Sequence, residues 1–244
     1  MNTTYYKIIP RHIAMSGRFE VGKTYEYVGE LSPNNDCYYC YENPIQHIEY
    51  YNGPVNLFEV EIGSEFISHR DGVLTNKMKL IREITGEEKN SLLSGTIHDD
   101  SLGIKKSYVS GLLHSEDDQP AIIWYDSDCP DRIKAQYWYK HGERHREGDN
   151  PAVILADGTR EWHKNGMLCR EGDQPAVIMG DGNEFWYKKG LLHRDGDKPA
   201  IIRKDGSCKW YQNGTLHRAG GRPAIIYANG TKKYYINGRP TFFQ

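Results

Sequence analysis

The chain has no long apolar run. Only 38% of its 244 residues are hydrophobic, mean hydropathy is -0.74, and pieces such as AVIL fall far short of the roughly 20 residues a membrane-crossing helix needs. A helical membrane span is therefore excluded. The first residues, MNTTYYKIIPRHIAMSG, lack the basic segment, apolar stretch and small-residue cleavage site of a secretory signal, so a cytoplasmic protein is expected. Cysteine is sparse and odd in number: five, at positions 37, 40, 129, 169 and 208, where a secreted disulfide scaffold shows an even and denser set. A reducing compartment fits. Excess charge is missing too. A net charge of -2 and a pI near 6.6 argue against the broad electrostatic footprint of a nonspecific nucleic-acid binder. No phosphate loop, dinucleotide fingerprint, nucleophile elbow or zincin motif occurs, and Gly22-Lys23-Thr24 lacks the upstream glycine of a phosphate loop. At 28.1 kDa the chain is long enough for one large domain or two small ones, each with a core that needs no disulfide.

What the chain does have is a repeat. The dipeptide Pro-Ala recurs at Pro151, Pro175, Pro199 and Pro223, a constant step of 24 residues, within the range of stacked structural units. Gly142, Gly166, Gly190, Gly214 and Gly238 keep step, as do Trp138, Trp162, Trp186, Trp210 and Tyr234, and the pairs Asp157-Gly158, Asp181-Gly182, Asp205-Gly206 and Asn229-Gly230. An earlier copy starts at Gly111, and an insertion of roughly seven residues around DCPDRIKAQ precedes the regular spacing.

Asp-Gly or Asn-Gly between short apolar runs signals a hairpin, because a type I′ turn needs positive φ at both central residues. Each copy is expected to be a β-hairpin, with Asp-Gly at one turn, Asn165-Gly166 or Asn213-Gly214 at a second, and the Gly-Asp-x-Pro segment as a third bend. Proline there fixes φ at the start of a strand where no donor is needed. A lone hairpin cannot bury both its Val/Ile side and its Trp side, so the copies must stack. Thr241, Phe242 and Phe243 suit a cap on the last rung.

Before about residue 95 the repeat is absent. Strands are expected near Tyr5 to Ile9, Lys23 to Val28, Asn56 to Ile62 and Lys77 to Ile84, with helices over Pro44 to Tyr51, where proline opens the first turn, and over Glu87 to Leu93. A polar linker from about Leu92 to Lys106 follows. The charge is about -6 up to residue 100 and about +4 beyond it. The expected fold is a small α+β domain over 1–95, then an all-β hairpin solenoid of about five copies over 107–244.

The copies KNGMLCREGDQPAVIMGDG and QNGTLHRAGGRPAIIYANG resemble the tandem W-Y-x-N-G-x-x-H-R-x-G-D-x-P-A-x-I-x-x-D-G repeats of giant-virus, phage and bacterial proteins, which are loosely similar to MORN repeats. VGKTYEYVGE, CYYCYENPIQHIEYY, FEVEI and TNKMKLIREIT resemble an uncharacterised phage and bacterial domain. Tyr39 stands where that pattern has a smaller residue. These resemblances imply origin in a virus or mobile element, residence in the host cytoplasm, and binding rather than catalysis.

Candidate ligand-binding residues come from the repeated His-Arg pair: His145-Arg146, His193-Arg194 and His217-Arg218, with Arg170 after Cys169 and His114 before Ser115. A shared metal is disfavoured, because equivalent positions of successive hairpins lie roughly 10 Å apart and zinc bonds are about 2 Å long. In one reading His packs on the next turn and Arg pairs with the Asp three residues on, as Arg146 with Asp149. In the other, Arg146, Arg170, Arg194 and Arg218 together grip a phosphate-bearing ligand. Cys37 and Cys40 make half a zinc site, with His47 a third ligand at most, and read more simply as buried thiols. Arg18, Tyr25, Glu42 and Arg82 are nucleotide-pocket residue types, but no spacing selects them. No catalytic residue, metal or cofactor is assigned.

The expected function is accessory binding: a repeat surface that recognises a macromolecular partner, with a host-defence protein as the target the resemblance suggests. The alternative is capture of an anionic, nucleotide-type small molecule, and a third reading is a nucleotide-acting transferase in the first domain. Nucleic acid and membrane are not expected partners, and the oligomeric state stays open.

Overall fold

A computed structural model describes residues 3–14, 18–28, 30–31, 37–51, 55–69 and 72–241. The chain is mostly β, 46% strand and 7% helix, in antiparallel hairpin sheets, and among the described residues no helix is long and apolar enough to cross a membrane. It divides into two units, Met1–Ile97 with Tyr108–Leu112, and His98–Ser107 with Leu113–Gln244.

The first unit is a seven-stranded sheet of β1 (Tyr5–Pro10), β2 (Thr24–Glu26), β3 (Tyr38–Tyr41), β4 (Val55–Ile62), β5 (Phe66–His69), β6 (Gly72–Thr75) and β7 (Lys77–Ile84), ordered β2-β7-β4-β1-β3-β6-β5. Strand alternation sorts its apolar residues onto two faces. Ile9, Cys40, Phe58, Val60, Val73, Met78 and Leu80 form one buried cluster, while Ile8, Leu57 and Ile84 are cross-strand neighbours on the other face. Pro44 opens a 3₁₀ helix, Pro44–Tyr50, and Thr85 precedes the helix Gly86–Leu92. β3, β5 and β6 were not expected from the sequence, since short strands such as Gly72–Thr75, buried on both faces, carry no alternation.

The second unit is built around one long antiparallel sheet whose register repeats: Val153 faces Glu161, Val177 faces Phe185, Ile201 faces Lys209 and Ile225 faces Lys233. Between copies the pairing continues, Glu161 facing Val177 and Phe185 facing Ile201. Beside this sheet stand two-stranded hairpins, such as His163–Lys164 with Met167–Leu168 and Tyr187–Lys188 with Leu191–Leu192. They are tied in series, the amides of Gly166, Gly190 and Gly214 donating to the carbonyls of Arg144, Leu168 and Leu192. Ala152, Ala176, Ala200 and Ala224 are fully buried beside the tryptophans.

Two expectations are corrected, on the Asp-Gly turns and on the linker. The Asn-Gly turns are type I′, with positive φ at both Asn165 and Gly166 and at both Asn213 and Gly214. At the Asp-Gly turns only the glycine, as Gly158 or Gly182, has positive φ. There the Gly158 amide donates to Leu155 and the Asp157 carboxylate accepts from Thr159; this is a type I turn closed by a left-handed glycine. The segment read as a linker carries strands Gly95–Asp99 and Ile104–Val109, the latter in register with Ile122–Asp126. The insertion lengthens a strand, Cys129–Tyr137, which pairs with Ile122–Asp126 through register shifts. Phe242 and Phe243, read as a cap, lie outside the described residues.

Candidate functional site: the rungs of the repeat array

Every repeated arginine sits in the same clamp. The Arg170 guanidinium lies 3.8 Å from the centroid of Trp162, donates Nε and Nη2 to the two oxygens of Asp149 at 2.6 Å each, and points Nη1 at the Pro175 carbonyl at 3.5 Å. Trp162 in turn donates its indole N–H to the Asp149 carbonyl at 3.2 Å. Arg146 repeats this with Trp138, Asp118 and Pro151, Arg194 with Trp186, Asp173 and Pro199, and Arg218 with Trp210, Asp197 and Pro223. The arginine side chains are 14–15% exposed. Each clamp joins two copies, because its aspartate belongs to the preceding one.

This corrects the expected pairing of Arg146 with Asp149. Arg146 takes Asp118, 28 residues back, and Asp149 takes Arg170, 21 residues on. The guanidinium hydrogen bonds hold the carboxyls of Asp118, Asp149 and Asp197 below the usual carboxylate range. Arg194 and then Lys198 do the same for Asp173.

The histidines serve the neighbouring turn. Nδ1 of His145, His193 and His217 accepts the backbone N–H of Asn165, Asn213 and Asn237 at 3.2, 3.1 and 3.1 Å, each the first left-handed residue of the next type I′ turn. Nε2 of His193 lies 2.9 Å from Asp195, and Nε2 of His145 lies 3.2 Å from Glu147. Exposed Lys140–Glu147, Lys164–Glu171 and Lys188–Asp195 pairs flank the clamps.

Open clefts of about 490, 620 and 400 Å³ lie between successive copies on this face. The middle one runs from His145 and Arg146 to Cys169 and Arg170. The seven residues singled out from the sequence therefore share one face at the repeat spacing, but the arginine donors are engaged with the chain's own carboxylates and carbonyls. A phosphate entering a cleft would compete with an aspartate already held through two hydrogen bonds.

The sequence contained a signal for the clamp that residue types alone did not convey. Ser107 takes the tryptophan position, its amide donating to Ala121 as Trp138 does to Ala152, and that copy has Ser115 in place of arginine. Tyr234 takes the position at the other end, where the preceding copy has Gly221 in place of aspartate. The members are lost together, as partners in one interaction should be.

In the first unit the candidate residues are dispersed. Cys40 is fully buried, and burial pushes its thiol up to about 11. His47 stacks on Tyr41 at 4.0 Å. Arg82 binds Glu59 and Glu88, while Arg18 lies over Phe19, whose ring packs on Tyr25. Among the described residues no group of three His, Cys, Asp or Glu is placed to hold a metal ion. Comparison with protein-family models, curated proteins and solved structures found no match.

Proposed function

We propose that the protein is a binding module whose repeat array recognises a macromolecular partner over several rungs at once. In this reading the first unit is a small α+β domain, the second a MORN-like hairpin solenoid, and the whole an accessory protein of viral or phage type acting in the host cytoplasm, with a defence component as its target. The observation that carries the reading is the unbroken register from copy to copy, which presents the same side-chain types again and again at about 10 Å intervals. The pairing of the cleft charges with one another supports contact through shape and area. Small-anion capture would need free arginine donors, and the clamps occupy them.

Cross-linking mass spectrometry of the full chain in host extract tests this. Cross-links to one protein from rungs two or more copies apart are expected. Cross-links confined to a single rung would overturn the reading. So would a small molecule carried through purification and lost on denaturation, which native and denaturing masses would reveal together.

A further inference from the structure

Charge is unevenly distributed along the array. No aspartate or glutamate follows Asp205, whereas Lys209, Arg218, Arg222, Lys232, Lys233 and Arg239 do, so residues 206–244 carry +6 and residues 107–205 carry -4. Arg218 and Arg222 both pair with Asp197. Among the described residues, Lys209 and Lys233 form no ion pair. They flank Ile225 in register, so both side chains stand on one sheet face about 10 Å apart. Alternation puts Tyr235, two residues beyond Lys233 in the strand Lys232–Ile236, on that face. The Lys233 amine lies 5.5 Å from the centroid of Tyr227. Lys233 is exposed, Lys209, Tyr227 and Tyr235 are half-buried, and Ile225 between the two lysines is buried beneath their stems.

We propose that this face, centred on Lys209 and Lys233, docks an acidic, extended peptide segment of the partner protein. The proposal rests on the reading of the array as a binding surface and adds the partner's chemistry. Two unneutralised ammonium groups with tyrosine rings between and beside them attract carboxylates and cover the aliphatic stems that separate them. A short acidic segment fits better than a long polyanion, because the patch is small and the -4 of the preceding copies, residues 107–205, repels whatever extends along them. Half-buried rings also offer less face for base stacking than a single-strand binder needs.

The probe is a fluorescein-labelled peptide of alternating Glu and Ser, about twelve residues long, enough in extended form to cross both lysine rungs, with a Gln/Ser peptide as reference. Fluorescence anisotropy with the full chain should show saturable binding of the acidic peptide that weakens between about 50 and 300 mM salt. Lys209→Gln/Lys233→Gln should weaken it about tenfold or more with an unchanged melting temperature, and Lys140→Gln/Lys164→Gln, at lysines already paired, should change it less than about twofold. No saturable binding, or equal weakening by both double variants, overturns the proposal. Tighter binding of an oligothymidylate of equal length identifies a nucleic-acid surface instead. Concentration-dependent self-association abolished by Lys209→Gln/Lys233→Gln identifies a second copy as the occupant, and either result overturns the peptide assignment. All four leave the multi-rung cross-linking result untouched, so the two readings fail separately.

Discussion

Replacing Arg170 with alanine in an interior rung removes three interactions of known geometry. The stack on Trp162, a ring in a residue only 7% exposed, is worth about 1 kcal/mol. The bidentate pair with Asp149 is discounted to about 0.5–1 kcal/mol, since that carboxylate is 64% exposed. The long bond to the Pro175 carbonyl contributes about 0.5 kcal/mol. Arg170→Ala should therefore cost about 2–2.5 kcal/mol, and Asp149→Ala, which keeps the stack, about 0.5–1 kcal/mol. Urea denaturation followed by tryptophan fluorescence measures both, and a double-mutant cycle locates the pairing. Asp149 should couple to Arg170 by about 0.5 kcal/mol or more and to Arg146, three residues before it, by nearly nothing. Coupling to Arg146 without coupling to Arg170 would refute the cross-copy clamp. A loss below about 0.5 kcal/mol for Arg170→Ala, accompanied by loss of an anionic ligand, would show that the arginines serve a ligand rather than the array.

Acid should loosen the same clamps. The folded carboxyls of Asp118, Asp149, Asp173 and Asp197 lie below their usual range because arginine binds their charged forms. Their contribution is thus complete above an unfolded value of about 4 and is lost as pH falls through the folded values; urea midpoints that stay level down to about pH 3 would contradict this. In Gly180→Ala the new Cβ would overlap the Asp157 carbonyl oxygen, so a loss of about 2 kcal/mol or more is expected, and a melting temperature equal to the parent's would show that the turns are not packed this closely. Cys169→His supplies an imidazole facing the Lys189 turn and should stabilise the array by about 0.5–1 kcal/mol, whereas a lower urea midpoint would contradict the turn-binding role of the histidines. Thiol labelling of the native protein should modify exposed Cys129 first and reach buried Cys40 only on unfolding; early labelling of Cys40 would place it outside the core.

The 24-residue period, the hairpins and their order were legible in the sequence, because glycine and proline report backbone constraints that act within three or four residues. Position-specific loss of Trp, Arg and Asp at Ser107, Ser115, Gly221 and Tyr234 also lay in plain view, as a mark of mutual dependence that needs no coordinates. Which aspartate an arginine would take was not legible. Asp149 lies three residues from Arg146 and 21 from Arg170, and only the stacking of copies brings the distant one within reach, with a tryptophan beneath it to fix the plane of the guanidinium. The same limit applies to Tyr38–Tyr41, Phe66–His69 and Gly72–Thr75, strands whose residues carry no alternation of their own. Their place depends on partners far along the chain, as Tyr38 depends on Thr75, and pairing of that kind is an outcome of the whole sheet closing its hydrogen bonds at once.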